Sequence, residues 1–289
     1  MCAYVLTTDN TADLPKEFLE EKGIKTIPLR YTVEGVTYPT ENGEDLAPES
    51  FYAKMRGGEM PVTTQATPAE FEDFFTPTLE AGMDVLHICF SSGLSGSYGS
   101  AQVASASLME RYPERRVIVI DSLCASMGEG LLVYYACLYK EEGLPLEEAA
   151  KKLEHLKGNI CHMFTVDDLH HLHRGGRVSK AAAVVGTMLN VKPVLHVDDA
   201  GHLVPTHKVR GRKQSLQKLV SLMAEKTAGF ENPMVFISHG DCEADAFYVK
   251  DLVREQCGVK DFMVNFIGPT IGTHSGPGTV ALFFVGEPR

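Results

Sequence analysis

Short apolar runs of strand length alternate with helical periodicity in the N-terminal half of the chain. Strands are predicted at 3–7, 24–29, 31–38, 85–90 and 116–120, and helices at 15–22, 48–55, 68–79, 101–106, 127–142 and 146–156. Short loops connect strand to helix and helix to strand. This alternation predicts a mostly parallel sheet with helices on both faces.

The pattern restarts near Ile160. Strands are predicted at 161–166, 191–197, 202–209, 234–238, 261–266 and 279–285, and helices at 167–173, 181–189, 215–227 and 243–256. A turn at 198–201 joins two of these strands as a hairpin, which indicates a mixed sheet. A chain of 289 residues exceeds the usual single core. We therefore predict two α/β domains, 1–160 and 161–289.

Net charge and the positions of cysteines and histidines argue against several classes of function. A net charge of −11 argues against binding to nucleic acid or to anionic lipid surfaces. The seven cysteines are scattered without a CxxC pair, so free thiols are expected rather than disulfides or a zinc site. Of the neighbouring histidines only His170 and His173 share a helix face, which indicates a surface cluster. No metal, cofactor, leader or membrane span is predicted, and a cytoplasmic location is expected.

The most informative stretch is the serine loop, Ser91–Ser97, with the sequence SSGLSGS. It follows a predicted buried strand and precedes a helix. Glycines and free N–H groups at a helix start favour an anion. The loop has hydroxyls and amides but no lysine or arginine, so a carboxylate suits it better than a phosphate.

A hydrolase remains the alternative. The stretch Gly93–Ser97 nearly matches the nucleophile elbow G-x-S-x-G, and Asp121 and His274 follow in hydrolase order. Ser95 would then be the nucleophile of a serine esterase. Ser97 replaces the last glycine, however, and a serine-rich loop suits ligand binding better. No lysine follows a glycine-rich loop, so a nucleotide site is not indicated.

Seven motifs follow one another along residues 7–278. They are TTDNTADLP, PVTTQATP, SSGLSGSYGSA, Asp121-Ser122, DDLHHLHRGGRVS, Lys192-Pro193-Val194-Leu195 and GTHSGPG. In this order they resemble the DegV family of bacterial fatty-acid-binding proteins, which carry the acyl group for fatty acid kinase. The chain departs from the family at Asn10, Thr64, Ala66 and Ser275. Thr64 and Ser275 keep a hydroxyl.

The resemblance implies an EDD fold with a long-chain fatty acid buried between the two domains. The implied carboxylate-binding residues are Thr63, Thr64, Ser91, Ser92, Ser95 and His274. Candidate tunnel walls are Phe71, Phe75, Gly186 and Met188. The resemblance further implies that catalysis resides in a separate ATP-binding kinase subunit, which docks at Arg174. The chain itself is then a carrier rather than an enzyme.

Overall fold

The computed structural model describes residues 4–179 and 190–289. The elements of the first half are β1 (Tyr4–Asp9), α1 (Lys16–Lys22), β2 (Lys25–Ile27), β3 (Arg30–Val33), β4 (Val36–Tyr38), α2 (Pro48–Arg56), β5 (Val62–Thr64), α3 (Pro68–Glu80), β6 (Asp84–Cys89), α4 (Ser97–Arg111), β7 (Val117–Asp121), α5 (Met127–Glu141) and α6 (Leu146–Leu156). Those of the second half are β8 (Ile160–Thr165), α7 (His170–Arg174), β9 (Val191–Val197), β10 (Leu203–Arg210), α8 (Arg212–Lys226), β11 (Met234–His239), α9 (Glu243–Cys257), β12 (Asp261–Phe266), α10 (Pro269–Ser275) and β13 (Val280–Val285).

The first sheet is parallel, in the order β2-β1-β6-β7. Alternate residues of its strands enter two different cores, as the two-residue period of a strand requires. Val85 packs with α3 and α4, whereas Leu86 packs with α5 and α6. The prediction of a parallel sheet covered on both faces is confirmed.

The second sheet is mixed, in the order β10-β9-β8-β13-β11-β12. The last strand, β13, lies antiparallel between β8 and β11, so it completes this sheet rather than the first. Helices α8 and α9 cover one face. Phe164, Ala281 and Phe283 on the other face share a core with α5, which therefore lies between the two sheets.

Two segments in which the sequence predicted no helix or strand contain regular structure. In the stretch 61–68, Val62–Thr64 forms β5 and pairs with β3, giving a third, antiparallel sheet in the order β4-β3-β5. In the stretch 268–278, α10 begins at Pro269 and ends before Gly276, which has a φ of 78°. Proline is favoured in the first helical turn, and a glycine with positive φ commonly ends a helix. The prolines and glycines of this segment, which are also typical of loops, therefore mark the two ends of a short helix.

Candidate functional site

A cavity of about 780 Å³ lies between the second sheet and the loops that follow β6 and β7 of the first sheet. The segment after β5, the serine loop, the central strands of the second sheet and α10 all contribute to its wall. The polar side chains on the wall are Thr63, Thr64, Gln65, Thr67, Ser95, Ser126, His162, Arg177, Thr270, His274, Ser275 and Thr279. The apolar ones are Leu29, Phe90, Leu94, Ala125, Phe164, Leu172, Val197, Leu203, Ile267, Ile271, Ala281 and Phe283. A volume of this size suits a small organic ligand.

The floor of the cavity follows from strand register. His162 and Phe164 are two residues apart on β8, so both point to one face of the sheet. They are aligned with Phe283 and Ala281 of β13. Their rings and the small alanine give the cavity a largely apolar floor.

A threonine and a histidine pair at one part of the wall. Thr63 Oγ1 lies 2.8 Å from His274 Nε2. Thr63 is placed there by β5, and His274 by α10, so the two elements misread as loops supply this pair. The separation in sequence is 211 residues, which explains why spacing alone could not place them together.

His274 is neutral at pH 7. Burial, reinforced by the positive charges of Arg177 and Arg174, lowers its pKa to about 4. Its buried Nδ1 has no hydrogen-bond partner among the residues described. Gly175 packs against that atom, since a Cβ at position 175 would lie 2.1 Å from it. Because a proton on Nδ1 would have no acceptor among the described residues, we assign the proton to Nε2, which then donates to Thr63 Oγ1. The Thr63 hydroxyl keeps its own proton for a ligand.

Ser95 reaches the same cavity from the start of α4. Its hydroxyl lies 3.0 Å from that of Ser97 and accepts a hydrogen bond from the Ser97 N–H at 3.2 Å. Gly96 lies at the cavity wall immediately before the helix. The positive end of the helix dipole therefore lies beside the Ser95 hydroxyl, where an anion is stabilised.

The first two serines of the loop have other contacts. The Ser91 hydroxyl is buried, donates to the Gly201 carbonyl at 2.9 Å and accepts from the Gly93 N–H. The Ser92 side chain is exposed, and its N–H donates to Asp121. Neither serine lies on the cavity wall. Of the hydroxyl residues predicted for the carboxylate, the structure brings Thr63, Thr64 and Ser95 to the cavity.

The predicted tunnel residues lie elsewhere. Phe71 and Phe75 are fully buried between α3 and the first sheet, against the His87 ring, and do not line the cavity. This placement is the core packing that an aromatic stripe on a helix favours. Gly186 and Met188 lie outside the described residues.

The two arginines of the RGGR segment differ in position. Arg174 is exposed, with a guanidinium nitrogen 3.3 Å from His171 Nδ1. Arg177 lies on the cavity wall, and donates to the carbonyls of Leu94 and Gly175. The sequence analysis assigned Arg177 no role in the site. Its only sequence signal was its place in the same motif as Arg174.

The arrangement does not form a hydrolase triad. In a triad the histidine bonds to the nucleophile with one nitrogen and to an acid with the other. His274 pairs with Thr63 through Nε2, and its Nδ1 faces Gly175 rather than a carboxylate. Asp121 accepts from the N–H groups of Ser92 and Leu123 instead. The esterase alternative is wrong for these residues because its acid and base are not paired.

The buried Asp13 connects Ser126, on the cavity wall, with the residue before α10. Asp13 accepts hydrogen bonds from Ser126 and from the N–H of Gly268, the residue before α10. Its backbone carbonyl accepts from the Asn265 side chain. Asp13 thus fixes the start of the helix that carries His274. Burial is the largest cause of a rise in the Asp13 pKa to about 7, although both hydrogen bonds oppose it.

This pKa predicts a pH-dependent stability. The folded protein retains the Asp13 proton up to about pH 7, whereas the unfolded chain loses it near pH 3.8. Stability from this group is therefore full below pH 3.8 and falls as pH rises towards 7, by at most about 1.4 kcal/mol per pH unit. We expect Asp13→Asn to remove this decline, measured as the difference in urea-unfolding free energy between variant and wild type from pH 4.5 to 7.5. A constant difference across that range would contradict the assignment.

Comparison with known proteins decides the family. The DegV family model, described as "Uncharacterised protein, DegV family", matches residues 4–287. A DegV domain-containing protein of Clostridium perfringens is 39% identical over 100% of this chain and 99% of its own. The chain belongs to the DegV family. The family expected from the seven motifs is thereby confirmed.

Solved structures of proteins described by their fatty acid binding share the whole fold. A DegV fatty acid binding protein from Bacillus subtilis superposes with a TM-score of 0.84 at 31% identity, covering 99% of this chain and 100% of its own. A stearic acid-binding protein from Eubacterium ventriosum gives a TM-score of 0.90 at 27% identity, covering 98% of each chain. A Thermus thermophilus DegV protein described by its fatty acid binding gives 0.86 at 30% identity, covering 98% and 99%. DegV relatives of this fold thus bind fatty acids. Within the described part of this DegV chain, no helix has the length and apolar character needed to cross a membrane.

Proposed function

We propose that this DegV protein binds one long-chain fatty acid in the cavity and carries it for a separate kinase. The hydroxyls of Thr63 and Ser95 hold the carboxylate, and His274 orients the Thr63 hydroxyl. The observation that carries the proposal is that the Thr63–His274 pair and Ser95, at the start of α4, all lie on the wall of one largely apolar cavity. The fatty-acid-binding DegV structures support the same ligand class.

The polar groups suit a carboxylate. With Nε2–H of His274 donating to Thr63, the Thr63 hydroxyl is free to donate to one acid oxygen. The Ser95 hydroxyl donates to the other when the Ser97 hydroxyl donates to Ser95. Each such bond to a charged acceptor is worth roughly 1.5 to 3 kcal/mol. Arg177 adds a positive charge on the same wall. These groups stabilise one negative charge and fix the direction in which the ligand lies.

The apolar wall supplies most of the affinity. Burial of about fifteen methylenes, at roughly 0.8 kcal/mol each, contributes on the order of 12 kcal/mol before the cost of ordering the chain. The hydroxyls therefore determine the orientation of the fatty acid, while its tail determines most of the binding affinity. On this account affinity rises with chain length until the cavity is filled.

Ser95→Ala tests the head-group assignment, and Ser92→Ala in the same loop is its matched control. We expect Ser95→Ala to raise the Kd for a long-chain fatty acid by about tenfold or more, because one bond to the carboxylate is lost. Ser92→Ala, which removes the same hydroxyl from an exposed side chain of the same loop, is expected to leave the Kd unchanged. Titration of delipidated protein measures both. Equal effects of the two substitutions would contradict the assignment.

The carrier role requires a docking surface for the kinase, and the exposed segment around Arg174 lies beside the cavity. We propose that a kinase subunit docks at Arg174, whose side chain is exposed while Arg177 of the same segment lines the cavity. Arg174→Ala is expected to leave fatty acid affinity unchanged and to slow phosphorylation of the bound acid by the partner kinase at least tenfold, as expected for an interface arginine. The control is Arg254→Ala, an exposed arginine on α9. Equal phosphorylation rates for the two variants would refute docking at Arg174.

The expected place of action is the cytoplasm. The described cysteines, Cys89, Cys124, Cys137, Cys161, Cys242 and Cys257, are free thiols, which supports a reducing compartment.

A further inference from the structure

A polar cluster lies inside the first domain, away from the cavity wall. It consists of Thr7 and Asp9 on β1 and His87 and Cys89 on β6, each at most 2% exposed. The two strands are parallel neighbours, with Thr7 aligned with His87 and Thr8 with Ile88. Aligned positions of parallel strands point to the same face. The register therefore collects a hydroxyl, a carboxylate, an imidazole and a thiol in the sheet interior.

Two atoms of this cluster lack hydrogen bonds. His87 Nε2 lies 3.2 Å from Asp9 Oδ1, and both atoms are buried without a hydrogen-bond partner among the described residues. Leaving such groups unsatisfied in the interior is costly, and most native structures avoid it. A cation between the two atoms would satisfy both. A proton, unlike a metal ion, could bridge only the His87 ring and the Asp9 carboxylate. His87 Nε2 lies within hydrogen-bond distance of Asp9 Oδ1 but is not oriented towards it as a hydrogen bond requires.

A third donor faces the same space. Cys89 Sγ lies 3.3 Å from Asp9 Oδ2, and the ligand atoms of Asp9, His87 and Cys89 are all within 4.8 Å of one another. Around a tetrahedral zinc ion, bond lengths of roughly 2.0 to 2.3 Å place ligand atoms roughly 3.3 to 3.8 Å apart. We propose that Asp9, His87 and Cys89 bind a divalent metal ion of the zinc class. Carboxylate, imidazole and thiolate are the donors that zinc uses in proteins.

The surroundings fit an ion at this position. His87 Nδ1 lies 3.0 Å from Thr7 Oγ1, and Asp9 Oδ2 accepts from the Phe90 N–H at 2.7 Å. Such outer contacts orient metal ligands and strengthen binding. A thiolate and a carboxylate together neutralise a divalent ion, which makes the buried site electrically neutral. Cys89 is the last residue of β6, so the ion would brace the strand from which the serine loop emerges.

Metal content tests the proposal. The full-length protein is expressed in zinc-supplemented medium, purified without chelators and analysed by inductively coupled plasma mass spectrometry. We expect about one zinc ion per wild-type chain and at least a tenfold loss in Cys89→Ser and in His87→Gln, because each removes a ligand. The control, Cys137→Ser, changes a buried cysteine of α5 outside the cluster and should retain the zinc. Equal zinc in all four proteins would place the metal elsewhere and overturn the proposal.

A second measurement does not depend on whether these variants fold. Wild-type protein stripped of metal is titrated with Co²⁺, and binding at Cys89 is expected to give thiolate-to-cobalt charge-transfer absorption. Added Zn²⁺ should raise the melting temperature and abolish that absorption. Thr7→Val, which removes only an outer contact, should weaken zinc affinity roughly 10- to 100-fold. Wild-type protein with less than about 0.1 zinc per chain, no cobalt absorption and no zinc-induced stabilisation would refute the site.

Discussion

Thr63→Val is expected to weaken long-chain fatty acid binding roughly 10- to 100-fold. Valine has nearly the same shape as threonine but cannot donate to the carboxylate, and a lost bond to a charged group costs roughly 1.5 to 3 kcal/mol. The substitution also leaves the Nε2–H of His274 without its acceptor, 2.8 Å away in the wild type. The effect should therefore be at the upper end of this range. Fluorescence competition or calorimetry on delipidated protein gives the Kd directly.

The matched control is Thr273→Val. Thr273 precedes His274 on α10, is buried, and donates to the Pro269 carbonyl of its own helix without lining the cavity. Any general cost of burying valine in this region should appear in both variants. A Kd for Thr63→Val no different from that of Thr273→Val would exclude Thr63 from the head-group site.

Ala281→Phe is expected to weaken stearic acid binding on the order of 50-fold. Ala281 lies on the apolar floor opposite Phe164, so a phenyl ring there occupies space that the tail would fill. Excluding about three methylenes from the cavity at roughly 0.8 kcal/mol each costs about 2.4 kcal/mol. Binding of a ten-carbon acid should change much less, because a short tail needs less of the floor.

Chain-length dependence separates this effect from misfolding. Ala281→Ser introduces a side chain of similar size to alanine, so the order of affinities for acids of different chain length should stay as in the wild type. Thermal unfolding of the three proteins checks that the fold is retained. Uniform weakening of short and long acids in Ala281→Phe would contradict a tail lying on this floor.

The sequence predicted the fold because its signals are local. Val85, Leu86 and Ile88 form an apolar run that only a buried strand of a covered sheet accommodates, and the structure places that run at the centre of the first sheet. The short elements β5 and α10 were missed because strand propensity over three residues is weak, and because the composition of α10 is typical of loops.

The site was only partly predictable for a different reason. The motif order indicated the serine loop, the threonine segment and His274, but not which hydroxyl faces the ligand. The backbone turns within the loop, so that Ser91 bonds to Gly201 and Ser92 is exposed while Ser95 lines the cavity. That turn depends on contacts with a hairpin over 100 residues away in sequence, which no local pattern encodes.

The same limit applies to the metal proposal. Sequence reasoning predicted no metal because the cysteines lack a close partner, yet Asp9 and Cys89 are 80 residues apart and become neighbours through strand pairing. Spacing rules describe ligands on one loop or helix and do not address ligands on adjacent strands.

The central claim is that this DegV chain encloses a fatty acid and binds its carboxylate with neutral hydroxyls, one of which is oriented by a neutral histidine. Native mass spectrometry of the purified protein, followed by organic extraction, tests it most directly. The account predicts one long-chain fatty acid per chain, released on extraction and strongly reduced in Thr63→Val. A wild-type protein that purifies empty and does not take up a long-chain fatty acid when it is supplied would contradict the account.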